Sequence, residues 1–303
     1  VSAALLALLA CVGPQDSGDA DGLQDVYTLA DHAQYPEGMA FHAGERAFFL
    51  GSLTTGAVTR LDADGSESTL FTPESGWMSL GMTLDGDVLA VCAVYAYGEP
   101  DTTGAIWAFD VTTGAQTASV DLGAAFAGAN CNDAAFHDGA LYVTDRENPN
   151  LYRVDLGAES AELWLSDPLM EPGYIGMNGV VVTPGGDLLV GKYGPAALLR
   201  VPLDAPTALE VVTLTGDAVG SLPNGFDGIV WQDDTLVIAG NAELYRIQSD
   251  DDWRTGQVTT TVPDVRHAAV AMAEGRLYGL KGEVVPYVLG TDVDLPFEVR
   301  ALD

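Results

Sequence analysis

The chain has 303 residues, of which 44 are acidic and 12 basic, giving a formal net charge of −32, and Lys192 and Lys281 are its only lysines. A surface of that sign repels phosphate backbones, which excludes nucleic acid as a natural partner and reads instead as a solvated acidic coat. The length would admit two domains, but no Pro/Ser-rich break interrupts the chain, and 48% hydrophobic residues are ample for one continuous core.

The first predicted element is the apolar run SAALLALLAC (2–11), too short to span a bilayer and followed by an acidic, flexible stretch, GPQDSGDADG (13–22). Its ending, Leu-Leu-Ala-Cys, resembles the lipobox of bacterial lipoproteins, in which the cysteine is lipidated and the residues before it are removed. That resemblance implies a signal segment over 1–10 and an acidic tether over 11–24 that begins with lipidated Cys11. The protein is then held outside the cytoplasm and touches membrane through that lipid alone. The alternative is an ordinary cleaved signal with an incidental cysteine.

From residue 25 onward, Val, Leu, Tyr and Phe runs bounded by Gly, Asp and Pro recur with little helical periodicity. The turn-and-strand units are HAGERAFFLG (42–51), LDGDVLAV (84–91), HDGALYVTD (137–145), PGGDLLVGK (184–192), QDDTLVIAG (232–240) and AEGRLYGLK (273–281). A third strand follows each: AVTRLD (57–62), AIWAFD (105–110), LYRVD (151–155), ALLRVPLD (197–204), ELYRIQSD (243–250) and FEVRALD (297–303). Turn-to-turn spacing of roughly 40 to 55 residues is that of four-stranded propeller blades. Outer strands are predicted at STLF (68–71), TASVDL (117–122), AELWL (161–165), LEVVTL (209–214) and QVTTTV (257–262). For the last repeat, DVYTLA (25–30) is expected to supply the missing strand, closing the ring and protecting edges that invite pairing between molecules. The alternative is a last blade of three strands. The expected fold is an all-β, six-bladed β-propeller over 25–303, acting as a monomer.

In every repeat a polar residue stands seven or eight positions ahead of the turn: Glu37, Ser79, Asn132, Asn178, Asp227 and His267. A closed ring would bring these residues to one end of the central channel. The carboxylates Glu37 and Asp227 match the charge of a divalent ion, and the amide oxygens of Asn132 and Asn178 complete a hard, all-oxygen set. That chemistry suits calcium best, because calcium accepts irregular oxygen geometry and retains waters. No CxxC or Cys/His spacing points to zinc, and four histidines in all give little support to a multi-histidine site. Cys92 and Cys131, on the second strand of blade 2 and at the start of blade 3, are placed either for a disulfide between blades or for two buried thiols.

The segments PEGMAF (36–41), CNDAAF (131–136), MNGVVV (177–182) and FDGIVW (226–231), in this order and spacing, carry a further resemblance. They resemble the Glu…Asn…Asn…Asp calcium signature of the senescence-marker-protein/gluconolactonase/luciferin-regenerating family, related to the diisopropylfluorophosphatase and paraoxonase propellers. The resemblance covers residues 25–303 and implies that Glu37, Asn132, Asn178 and Asp227 hold one central calcium ion. His267, in RHAAVAM (266–272), falls where diisopropylfluorophosphatase-like relatives carry a histidine near the metal, in a register one residue longer than that of Glu37. A structural histidine is the alternative there. His32, His42 and His137 are expected to be solvated, and the resemblance gives Arg146 no counterpart.

The activity implied is calcium-dependent hydrolysis of a small-molecule lactone or related ester, phosphotriesters included, with Asp227 as nucleophile or general base and His267 as a competing candidate. Loops at 75–78, 94–104 and 167–177 are expected to wall a cup. Trp77, Tyr97, Tyr174 and Phe226 either line its substrate pocket or simply pack those loops. The alternative function is a non-catalytic binding or scaffold propeller in which calcium plugs the channel, since the fold does not imply chemistry. A metal-free lyase-type propeller fits the carboxylates less well.

Overall fold

A computed structural model of the protein describes residues 22–30, 34–216, 225–240, 243–263 and 267–302. The predicted signal segment, Cys11 and His32 lie outside them. Six sheets form the blades of a β-propeller, as the repeat spacing requires. Their inner strands are Met39–His42, Trp77–Asp85, Cys131–His137, Met177–Val182, Ile229–Gln232 and His267–Ala273, and each packs beside the next, the last meeting the first.

The sequence pattern of the second strands follows from this arrangement. Each blade is covered on both faces by its neighbours, so a strand in mid-blade must be apolar at odd and even positions alike. Phe48 and Phe49 are both fully buried. Phe48 packs with Tyr27, Tyr278 and Phe297 between blades 6 and 1, whereas Phe49 packs with Trp107 and Phe109 between blades 1 and 2. Outer strands have one wet face and alternate instead. In Ala115–Asp121 only Ala118 and Val120 are buried.

The N-terminal strand closes the ring. Val26–Thr28 pairs antiparallel with Glu298–Ala301, Tyr27 opposite Val299, and Asp25 meets Arg276 at 2.8 Å. The last blade therefore has four strands, not three. One outer strand departs from expectation: LEVVTL divides, Glu210–Val211 staying on blade 4 while Thr213–Thr215 runs parallel to Thr255–Pro263 as a fifth strand of blade 5. Val212 and Leu214 share a side of this strand, and burying both against the layer that holds Trp253 and Val258 draws its second half across. A six-residue helix, Val284–Leu289, interrupts the loop of blade 6 where no helical period announced it. Cys92 and Cys131 are free, buried thiols, and the Cys131 Sγ donates to the carbonyls of Ala93 and Ala105.

At the channel the inner strands approach so closely that only glycine fits. A Cβ on Gly38 would overlap the Leu80 carbonyl oxygen of the next blade, and one on Gly228 would lie 2.8 Å from the Ala269 Cα. Backbone cannot yield as a side-chain tip would. Gly38→Ala is expected to cost about 3 kcal/mol of unfolding free energy, read as a lower denaturant midpoint; an unchanged midpoint would show that blades 1 and 2 are not locked at this point.

Candidate functional site

Glu37, Asn132, Asn178 and Asp227, from blades 1, 3, 4 and 5, line one cavity at the mouth of the channel. Each is at least nine-tenths buried. The cavity proper is about 40 Å³, or about 350 Å³ with its open mouth included. Backbone bonds at the starts of the inner strands set the positions: Asp227 N–H donates to the Ala239 carbonyl at 2.9 Å, and Gly51 N–H to the Gly38 carbonyl at 3.0 Å. The buried Thr144 hydroxyl joins blades 3 and 4, donating to the Asn178 carbonyl at 2.8 Å while accepting the Asp133 N–H at 3.0 Å.

Ser79 and His267 do not line this cavity. Each stands one residue further from its hairpin than Glu37, Asn132 or Asp227, and a one-residue slip in a strand turns a side chain to the other face. Leu80 and Ala268 occupy the matching positions. Ser79 instead ties blade 2 to blade 1, its hydroxyl accepting the Ser52 N–H at 2.7 Å and donating to the Ala57 carbonyl at 3.1 Å. His267 is buried against Gly279, with neither ring nitrogen hydrogen-bonded among the described residues. Burial first, and then the charge of Arg300, push its pKa down to about 4.

The depressed pKa has a consequence for stability. Between about pH 6.5 and 4 the unfolded chain binds a proton that folded His267 refuses, so stability is full above that window and falls as pH drops through it, by on the order of 3 kcal/mol. His267→Leu is expected to flatten the acid limb of a pH–stability curve. If the variant shows the same loss between pH 6.5 and 4, His267 is not its source. The other two described histidines differ from each other: His137 is half-exposed, whereas His42 is buried, not solvated, accepting the Glu45 N–H at 3.0 Å with its Nε2 3.1 Å from Asp87.

Two residues that the polar-ring pattern passed over belong to the site. Asp133 lines the cavity at the register where blades 1, 4 and 5 carry Gly38, Gly179 and Gly228, and its carboxylate accepts the N–H groups of Ala134 at 2.8 Å and Val180. A carboxylate in a glycine register was the available signal. Arg146 stands on the rim between blades 3 and 4. Its N–H donates to the Asn130 carbonyl at 2.9 Å and its carbonyl accepts the Gly176 N–H at 2.7 Å, each partner two residues ahead of an amide in the ring.

The electrostatics favour a bound cation. Burial lifts Asp227 to about 8, assisted by the charge of Asp133 and opposed by a hydrogen bond from Asn178 and by Arg146. Burial likewise lifts Asp133 to about 7, against the two N–H groups it accepts. Glu37 is raised well above the carboxylate range by burial and then by Asp227, with Arg146 opposing. Three carboxyl groups that resist ionising together form a site where a positive charge is strongly favoured. Three carboxylates less one guanidinium leave two negative charges, the match for a divalent ion, and the buried Oε2 of Glu37 has no hydrogen-bond partner among the described residues. Among those residues no three His, Cys, Asp or Glu side chains make a metal cluster by themselves. The donor set here is mixed, with two amide oxygens, and such hard oxygen donors fit calcium.

None of the four aromatic residues expected in the pocket lines the cavity. Trp77 packs against Tyr95 and Trp107, and Phe226 is fully buried against Tyr245. Tyr174 is exposed, edge-on to Tyr193. Tyr97 is exposed as well and carries the Arg146 guanidinium 4.3 Å above its ring. The loops hold these residues in their own packing or in solvent, and Tyr97 meets the site only through Arg146.

No protein-family profile matches the chain, and no curated protein matches it in sequence. Solved structures do match. The major allergen Mala s 1 of Malassezia sympodialis superposes with a TM-score of 0.75 at 19% identity, over 93% of this chain and 97% of that one. A gluconolactonase from Xanthomonas campestris gives 0.62 at 17%, over 91% and 89%. Regucalcin, a calcium-binding protein from Agrobacterium tumefaciens, gives 0.60 at 18%, over 92% and 96%. At such identities these likenesses establish the propeller fold, and they place gluconolactonase and regucalcin propellers among this chain's structural neighbours.

Proposed function

We propose that the protein is a calcium-dependent hydrolase of lactones or related esters. One observation carries the reading: a buried all-oxygen set, Glu37, Asn132, Asn178 and Asp227, faces a cavity that opens to solvent, with a Glu37 oxygen unpartnered. These four residues would hold the ion, with the Asp133 carboxylate beside them. A calcium ion bound there supplies Lewis-acid polarisation of a carbonyl or phosphoryl oxygen. Asp227, oriented by its hydrogen bond from Asn178, is the carboxylate placed to take up a proton or to attack. Met39, Met82, Ile229 and Val270 make the rest of the wall apolar and limit water at the reacting atoms. His267, off the cavity, is assigned no contact with substrate. The gluconolactonase and regucalcin likenesses support the same direction.

A panel of lactones, aryl esters and phosphotriesters, assayed with and without calcium, tests this: calcium-dependent turnover of at least one class is expected, and inactivity across the calcium-loaded panel would count against it. The cavity's size favours one rival. About 40 Å³ holds an ion and a water or two but not a substrate, which would have to reach in from the open mouth. In that rival a calcium ion only plugs the channel of a binding or scaffold propeller.

The location is part of the same proposal. Exported from a bacterium with a complete signal, the protein is expected to carry lipid on Cys11 and to sediment with membranes, whereas Cys11→Ser is released. An unmodified Cys11 in the intact mass of correctly exported protein would defeat the lipoprotein reading.

A further inference from the structure

Arg146 is a cation that no carboxylate among the described residues holds closely. Arg46, Arg60, Arg200, Arg276 and Arg300 each hold a carboxylate at 3.0 Å or closer, as expected where acids greatly outnumber bases. Among the described residues Arg146 reaches only Glu147, at 3.8 Å, and its Nε is buried without a hydrogen-bond partner. Its side chain is only 12% exposed. That buried N–H gives up hydration without recovering it from the described residues.

The surroundings hold the group rigidly. Both backbone polar groups of Arg146 are bonded, to Asn130 and Gly176. Asp145 just before it is fully buried and accepts the Tyr152 hydroxyl at 2.7 Å together with the N–H groups of Asn130, Glu147 and Asn148. The guanidinium stacks on Tyr97, whose hydroxyl donates to Glu147 at 3.1 Å. Stacking occupies the flat face of an arginine and leaves its N–H edge for a planar acceptor such as a carboxylate.

A cation at this rim also works against holding a metal ion, because its charge repels a second cation in the same ring. It nevertheless leaves the three ring carboxylates the net charge that one divalent ion matches, so the site has room for a metal and for a ligand held by Arg146. The protein as a whole repels anions, but at physiological salt that repulsion fades within about 8 Å, so the near field is set by Arg146 and the ring carboxylates, whose remaining charge a divalent ion would offset.

We propose that Arg146, backed by Tyr97, is the anchor for a carboxylate on the substrate, so that the natural substrates are esters or lactones bearing an acid group of their own. The inference deepens the hydrolase reading by naming a substrate class, and it is tested by binding, apart from turnover. Calorimetric titration with succinate, and with the uncharged succinamide of the same shape, is carried out on calcium-loaded and on metal-free protein. Succinate is expected to bind the wild type at least tenfold more tightly than succinamide. Arg146→Gln is expected to lose at least tenfold for succinate and little for succinamide, and Arg146→Lys, a point charge without the planar fork, to recover only part of the loss.

Equal succinate affinity in wild type and Arg146→Gln, with both folded by circular dichroism, would overturn the proposal, as would equal binding of the two probes by wild type. A separate calcium titration of the same samples keeps the two readings apart. Arg146-dependent succinate binding in a protein that takes no calcium would leave the anchor standing and remove the metal; calcium binding without any preference for succinate would do the reverse.

Discussion

Chelation should lower the melting temperature of protein shown by elemental analysis to have started metal-bound, and calcium should restore it better than magnesium. The reason is mass action: a ligand that binds only the folded state, present at a hundred times its dissociation constant, stabilises by about 2.7 kcal/mol. For a domain of this size that corresponds to a shift of roughly 5 °C. The preference for calcium follows from the donors. Glu37, Asp227, Asn132 and Asn178 come from four different blades, and Asp133 lines the same cavity. Such a set tolerates calcium's loose geometry better than magnesium's strict octahedron. A melting temperature indifferent to chelator and to added calcium would remove the metal from the account.

Asp227→Asn should retain the fold and, at saturating calcium, some metal, yet lose turnover of any substrate the panel reveals by about a hundredfold to ten-thousandfold, the range for removal of a general base. The substitution keeps size and hydrogen-bonding capacity and removes only the charge and the basic oxygen. His267→Ala should leave calcium affinity intact and turnover changed little, because its ring lies off the cavity, against Gly279. Wild-type rates for Asp227→Asn would refute the chemistry assigned to that residue even if calcium binds. A deep loss in His267→Ala, at unchanged stability, would mean that the ring reaches the reacting atoms after all.

The blade plan was legible because each mid-blade strand is apolar at both parities and each hairpin is marked by Gly or Asp, so the repeat survives wide variation between blades. Closure by the N-terminal strand was legible because the last repeat lacks one strand and DVYTLA (25–30) is a strand with no other blade to join. The site was only partly so. Counting to the nearest turn glycine allowed a slack of one residue, and in a strand one residue is the difference between the channel and the space between blades. Ser79 and His267 fell through that slack. Asn178 did not, because its hairpin loop is longer, Val182 pairing with Leu188, which absorbs the extra residue.

Asp133 and Arg146 were hidden for different reasons. Asp133 was overlooked beside Asn132 because two neighbours in a strand ordinarily face opposite ways. The bulge between Cys131 and Ala134 lets both reach the cavity. Arg146 follows the second strand of blade 3, Ala140–Asp145, and nothing local announces its backbone bonds to Asn130 and Gly176. The division of LEVVTL between two blades is a tertiary decision of the same kind, made by the layer that buries Val212 and Leu214.

The central claim is that these oxygens, drawn from different blades, form one divalent-cation site. Calorimetric titration of metal-free protein with calcium, repeated on Glu37→Gln, tests it most directly. One calcium per chain is predicted for the wild type, with affinity reduced at least tenfold in Glu37→Gln, since that change removes a charge and the unpartnered oxygen while preserving shape. No heat of binding in the wild type, or equal affinity in the variant, would contradict the account.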